Sequence, residues 1–275
     1  MSVGKLLLFL FIPVYSLAQT ANKSQILVGG GPEDMVLDTI ANKRILISCS
    51  ERRDENTFDS GIWEYDFSLG KARKLELTFK EDRRFAPHGI SLLHADGQSY
   101  LFVINHVSKK ESEVIRFRIT PDTLFEEVSF KNKCISHPND LYAVGRDHFY
   151  FSNDNLFGGS LARYKEGTCT IISKGYSYAN GIHVIGKVIY LSTTMGNRVY
   201  KLVEREGKTK YKKENLYKIS GGDNFTITKR KTLLVTAHPK ILKFIKHAKK
   251  KENKSPSMVY ELDLKEGTSK VVYQD

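Results

Sequence analysis

Five times along the chain, a short polar group leads into an apolar strand, a turn and a second strand. Glu33-Asp34 precedes Arg44-Ile-Leu-Ile-Ser48, and Pro87-His88-Gly89-Ile90 precedes Tyr100-Leu-Phe-Val-Ile104. Pro138-Asn139-Asp140-Leu141 precedes His148-Phe-Tyr-Phe-Ser152, and Ala179-Asn180-Gly181-Ile182 precedes Val188-Ile-Tyr-Leu-Ser192. The fifth group, Gly222-Asp223-Asn224-Phe225, precedes Thr232-Leu-Leu-Val-Thr236. With Asp34, His88, Asn139, Asn180 and Asn224 as markers, the repeats lie 41 to 54 residues apart. A period of that size, built from strands, is the mark of β-propeller blades. Further strands between the hairpins, such as Gly61-Ile-Trp-Glu-Tyr-Asp-Phe67 and Arg198-Val-Tyr-Lys-Leu202, supply the outer half of each blade. One all-β propeller domain is therefore expected over residues 31–275, after an arm at 19–30.

The first strand of each blade lines the central channel. A polar residue at the start of every first strand thus sets a ring of side chains at one channel mouth. Taken singly, Asn and Asp before a strand are ordinary turn formers. As a set, Glu33, Asn139, Asn180, Asp223 and Asn224 offer carboxylate and amide oxygens, the donors of a hard cation such as calcium. Zinc draws on Cys and His ligands. The doublets Glu33-Asp34 and Asn139-Asp140 allow a second site, because neighbouring side chains leave a strand in different directions.

Lys5, the apolar stretch from Leu6 to Ala18 and the small-x-small end Ser16-Leu17-Ala18 predict an export signal over residues 1–18. Once it is cleaved, no segment is long enough for a stable membrane span. A secreted or periplasmic protein is expected. The net charge of +12 is read as a lysine-rich solvated surface rather than a nucleic-acid footprint. Its densest run, Lys240 to Lys251, carries Ile241, Phe244, Ile245 and Ala248 at helical spacing, which predicts a short amphipathic helix. Cys49, Cys134 and Cys169 allow at most one bridge, and spacing does not choose it. The chain has no Gly-x-Ser-x-Gly elbow and no His-Glu-x-x-His, and Gly29-Gly30-Gly31 lacks the Lys-Ser or Lys-Thr of a phosphate loop.

Several strings, in order, resemble the paraoxonase and arylesterase family, six-bladed calcium propellers akin to gluconolactonases. They are Glu33-Asp34, Pro87-His88-Gly89-Ile90-Ser91, Val103-Ile104-Asn105-His106, Asn139-Asp140-Leu141-Tyr142-Ala143-Val144-Gly145, Asn153-Asp154, Ala179-Asn180-Gly181-Ile182, Asp223-Asn224 and His238-Pro239. The resemblance implies two calcium ions. A catalytic one would be held by Glu33, Asn139, Asn180, Asp223 and Asn224, and a structural one by Asp34, Asp140 and the carbonyl of Ile90. It also implies a histidine dyad of His88 and His106, a channel histidine at His238 and a pocket wall at Tyr178. The family carries a further inner hairpin beyond the position of Val271-Val272-Tyr273-Gln274-Asp275, so the last blade is expected incomplete. The short segment from Leu156 to Thr168 leaves no room for the family's lipoprotein-docking helices.

The expected function is calcium-dependent hydrolysis of small carboxylic esters or lactones, with His88 as base and His106 orienting it. Glu33 is the alternative activator of water, and a backbone-bonded structural role is the alternative for His88. The competing functions are a non-catalytic, calcium-stabilised propeller that binds a ligand or partner, and a gluconolactonase-like or strictosidine-synthase-like enzyme.

Overall fold

The string Tyr100-Leu-Phe-Val-Ile104 shows why these sequences make blades. In the computed structural model its side chains alternate between two packed interfaces. Leu101 and Val103 join Leu46 and Ile62 on one side, while Phe102 and Ile104 join Phe149 and Phe151 on the other. A strand covered on both faces has no polar side to show, so it reads as a continuous apolar run. Each fully buried Leu or Phe contributes roughly 1.5–3 kcal/mol.

The structure describes residues 25–275, apart from 39, 41–42, 52–59, 205–210 and 251; the expected leader at 1–18 lies outside the described residues. Blade 1 comprises β1 (Pro32–Asp38), β2 (Arg44–Cys49), β3 (Gly61–Asp66) and β4 (Lys71–Lys74). The short β5 (Glu76–Thr78) then crosses to pair in parallel with the outer edge of blade 2. Blade 2 is β6 (Pro87–Ala95), β7 (Gln98–Asn105), β8 (Glu113–Ile119) and β9 (Thr123–Phe130). Blade 3 is β10 (Pro138–Gly145), β11 (His148–Asn153), β12 (Gly159–Lys165) and β13 (Thr168–Tyr176). Blade 4 is β14 (Ala179–Ile185), β15 (Val188–Thr193), β16 (Arg198–Glu204) and β17 (Tyr211–Tyr217). Blade 5 is β18 (Gly222–Ile227), β19 (Leu233–Ala237), β20 (Met258–Asp263) and β21 (Thr268–Gln274). Apart from the β5–β9 pair, the ladders are antiparallel, and in every blade the first strand sits innermost.

The all-β propeller expected from the repeat is the fold. The described residues form five blades, and Thr268–Gln274 is the fourth strand of the fifth. Four apolar clusters fill the junctions 1–2, 2–3, 3–4 and 4–5. At the fifth junction Met35 and Leu37 of β1 are about half exposed, at 54% and 51%, and a hydrogen bond from Asn224 Nδ2 to the Glu33 carbonyl (3.2 Å) links the two blades.

Cys134 and Cys169, with Cα atoms 6.3 Å apart, form a disulfide, and Cys49 is buried outside it. The bridge ties the β9–β10 connection to the outer strand of blade 3. The basic run forms α1 (Ile241–Lys249), the expected amphipathic helix, and none of its residues is fully buried. Among the described residues no helix is long and apolar enough to cross a membrane.

Beneath the blade 1–2 junction Arg44, only 1% exposed, is held by Asp38, Glu64 and the Pro121 carbonyl. Removing Arg44 takes from buried Asp38 and Glu64 the guanidinium they share, although Glu64 keeps Arg73. Arg44→Ala should therefore lower stability by about 3–5 kcal/mol, read as a large drop in melting temperature; an unchanged melting curve would refute this account of the junction.

Candidate functional site

All five first strands break register at the same point. Pro32, Pro87, Pro138, Ala179 and Gly222 pair with the last residue of their neighbouring strand, and regular pairing resumes only after a bulge. A bulge re-aims side chains that strict alternation would send to opposite faces. It creates two tiers at the channel mouth. The upper tier is Glu33, His88, Asn139, Asn180 and Asp223; the lower is Asp34, Gly89, Asp140, Gly181 and Asn224. The register thus corrects the sequence markers by one residue in two blades: Glu33 and Asp223, not Asp34 and Asn224, stand level with His88, Asn139 and Asn180.

The lower tier binds each blade to the next. Asp34 Oδ2 accepts the Ile90 amide (2.8 Å), and Asp140 Oδ2 accepts that of Ile182 (2.7 Å). The blade receiving each carboxylate has glycine at the matching position. A Cβ on Gly89 would lie 2.5 Å from the Asn139 carbonyl oxygen, and one on Gly181 2.3 Å from that of Asp223. Hydroxyls complete the circuit: Ser48 donates to the His88 carbonyl (2.5 Å), Ser192 donates to that of Asp223 (2.7 Å), and Ser91 accepts the Ala143 amide (3.0 Å).

The amides of both tiers donate outward. Asn139 Nδ2 reaches Asp154 (3.1 Å), Asn180 Nδ2 reaches Thr194 (2.9 Å), and Asn224 Nδ2 reaches the Glu33 carbonyl. Each carbonyl oxygen is left on the opposite side. That of Asn180 is fully buried without a hydrogen-bond partner, a costly state for a polar atom. Asp223 bonds His238 Nε2 (3.0 Å), and the imidazole of His238 stacks on Phe244 of α1 with centroids 3.9 Å apart. His88 Nε2 lies 3.9 Å from Glu33 Oε2. Its ring meets that of His106 edge-on at 5.1 Å, and His106 Nδ1 contacts Ser112 Oγ (2.9 Å). Tyr178, just before the blade 4 bulge, has φ of 60°, a strained backbone for a bulky residue. A cavity of about 600 Å³ opens over the upper tier, walled by Tyr178, His238 and Phe244, and runs along the flank of blade 5.

Electrostatics makes the tiers uneasy. Burial pushes the Asp34 carboxyl from 3.8 up to about 7, against two backbone hydrogen bonds, and the charges of Asp223 and Glu33 add to the rise. Burial, then the charge of Asp34, likewise holds Asp140 well above the usual range. Among the described residues no three His, Cys, Asp or Glu side chains gather into a metal cluster. The donor set is instead mixed, with carboxylates, amides and carbonyls. Its orphaned Asn180 oxygen and mutually repelling carboxyls fit a hard, oxygen-seeking cation.

The arylesterase family model matches residues 44–271. The chain belongs to the arylesterase family. The bovine serum paraoxonase/arylesterase 2 is 29% identical over 164 residues, which cover 52% of this chain and 46% of that protein. Human serum paraoxonase/lactonase 3 is 27% identical over 150 residues, 47% of this chain and 42% of the relative. The matched stretches span less than half the length of these relatives. The calcium-binding protein regucalcin from Agrobacterium tumefaciens superposes with a TM-score of 0.56 at 12% identity, covering 91% of this chain and 75% of that one, a likeness of fold alone.

Within this arylesterase-family propeller, Glu33, His88, Asn139, Tyr178, Asn180, Asp223, Asn224 and His238 line the cavity at the mouth, Asp34 and Asp140 lie in the tier beneath, and His106 lines a neighbouring cavity. Sequence reasoning gave no role to Asp154, Thr194 or Phe244, which orient Asn139, Asn180 and His238. Asp154 stands in the Asn153-Asp154 string, which signalled the family without showing which ligand it braces.

The raised carboxyls set a pH dependence. In the metal-free fold Asp34 stays protonated where the unfolded chain ionises, so raising pH favours unfolding across the window from about 4 to about 7. The melting temperature in chelator should fall through that window, and Asp34→Asn should flatten the slope. A slope of the same size in Asp34→Asn would assign the effect elsewhere.

Proposed function

We propose that the chain is a calcium-dependent hydrolase of small carboxylic esters or lactones. The observation that carries this reading is the bulged upper tier, where amide and carboxylate oxygens, including the orphaned Asn180 Oδ1, meet beside His88 under a cavity of substrate size. Family membership supports hydrolysis, and the donor chemistry supports calcium.

Glu33, Asn139, Asn180, Asp223 and Asn224 would hold the catalytic ion; Asp34, Asp140 and the Ile90 carbonyl would hold a structural one. When bound, the upper ion supplies a Lewis acid that polarises the substrate carbonyl and stabilises the developing oxyanion. His88 takes the proton from the attacking water, the general-base role for which an imidazole is suited. His106, edge-on to His88 and anchored by Ser112, keeps that ring in place. Glu33, 3.9 Å from His88 Nε2, orients His88 and is the second candidate base. Tyr178 and Phe244 shape the apolar wall.

Purified protein should hydrolyse phenyl acetate or a medium-chain lactone, lose the activity in EDTA and regain it with calcium. Asn180→Ala should lower turnover by about 100-fold while leaving a folded propeller. Activity untouched by chelator would overturn the calcium reading. A second reading, a propeller that keeps the ion for rigidity alone, is favoured by the lower-tier carboxylates being committed to backbone amides of the next blade. Under it, Asn180→Ala shifts the melting temperature and no ester is turned over.

We also propose a location outside the cytoplasm, supported by the Cys134–Cys169 bridge, since such bridges belong to oxidising compartments. Thiol titration of the unfolded, unreduced protein should find one titratable thiol per chain, that of Cys49; three would refute the bridge.

A further inference from the structure

Beside the channel mouth lies a second cavity of about 260 Å³, whose walls include Arg84, Lys109, His106, Ser136 and His137. Ser50 and Glu51 line both cavities, so the two share a partition. His106, Ser112 and Asp154, which serve the hydrolytic site, form part of its wall, but that site gives Arg84 and Lys109 no role.

Its walls are braced from beneath by two buried amides in matching positions. Asn105, the last residue of β7, is 0% exposed. It accepts the Ala86 amide (2.8 Å) and donates to the Arg84 carbonyl (3.1 Å), so the segment carrying Arg84 is bolted beside His106. Asn153, the last residue of β11, does the same in blade 3. It accepts the amides of Ser136 and His137, both at 3.1 Å, and donates to the Cys134 carbonyl (2.9 Å). Ser108 Oγ caps the remaining wall by accepting the amides of Lys110 and Glu111. These walls are fixed before any ligand arrives, which lowers the ordering cost of binding.

Two cations, Arg84 and Lys109, and two carboxylates, Glu51 and Asp154, border the cavity. Asp154, which also borders the cavity, is engaged by Asn139, and Glu51 lies in the partition. Arg84 and Lys109 make no ion pair among the described residues. A guanidinium fork with a lysine beside it is the pattern that recognises a carboxylate.

We propose that this cavity is a subsite for a carboxylate carried by the substrate, so that the enzyme prefers esters or lactones bearing a second, anionic group. The inference rests on the hydrolase reading for the reacting end of the molecule. The ester lies over the upper tier, and the free carboxylate crosses the Ser50–Glu51 partition to Arg84 and Lys109.

Phenyl hydrogen succinate and phenyl butanoate share an acyl chain length and differ in that carboxylate. Loss of one charge-assisted hydrogen bond is worth about tenfold or more in affinity. Arg84→Gln/Lys109→Gln should therefore raise the KM for the succinate ester by at least that factor, with kcat and all constants for the butanoate unchanged. Arg84→Lys, which keeps the charge and loses the fork, should fall between. Both substituted positions are exposed, and melting temperature checks the fold. Equal effects on the two esters, or none on either, would overturn the subsite. Titration calorimetry with the unreactive N-phenylsuccinamic acid and N-phenylbutanamide reads the same contrast without turnover. If no ester is hydrolysed, the hydrolase reading falls, and calorimetry still decides the subsite: selective loss of the acid's binding in the double variant supports it, and identical binding of the acid to both proteins refutes it.

Discussion

Everything at the channel mouth depends on how one blade grips the next. Within a blade the ladder bonds settle themselves, but blades meet side by side, where apolar packing is tolerant of small slides. The lower-tier contacts remove that tolerance. A carboxylate on blade 1 accepts a backbone amide of blade 2, another on blade 3 accepts one from blade 4, and serine hydroxyls serve two of the intervening junctions. At 2.7–2.8 Å these bonds are short and directional, so they fix the relative height of neighbouring bulges. The upper-tier side chains, one residue away, inherit that alignment.

The same device creates an electrostatic debt. Asp34 and Asp140 are drawn inward by their amide partners, where burial works against ionisation, joined by the charges of Asp223 and Glu33 at Asp34 and of Asp34 at Asp140. Glu33 and Asp223 crowd the tier above. A fold that concentrates carboxyls this way has two ways to settle the conflict, protons or a cation. Cation binding, if it occurs as proposed, would therefore be linked to blade alignment, because the oxygens that would greet an ion are also those that hold the ring in register.

The repeat, the blade architecture and the converging doublets were legible in the sequence because each depends on local pattern: a polar group, a turn, an apolar run. The tier assignment was not. Asp34 and Glu33 are both acidic, as Asp223 and Asn224 are both oxygen donors, and a one-residue bulge decides which faces the mouth. The bridge between Cys134 and Cys169 was equally out of reach, since spacing treats three cysteines alike and only the packing of the β9–β10 connection against β13 brings two together. The stacking of Phe244 on His238 turned what looked like a solvated basic helix into part of the cavity wall. Periodicity found that helix; it could not say where the helix lies.

The junction between blades 5 and 1 differs in kind from its four neighbours. Those are zipped by apolar clusters, whereas here half-exposed Met35 and Leu37 stand beside the link from Asn224 to the Glu33 carbonyl. A toroid with one weak seam behaves like a split washer: strain anywhere around the circumference is relieved by widening the gap. Because the seam runs between Glu33 and Asp223–Asn224, any such widening changes the bore at the place where oxygen donors from opposite ends of the chain face each other. Under the proposed function, grip on an ion would thus be mechanically coupled to the width of the seam, and an occupant bridging that gap would act as a rivet.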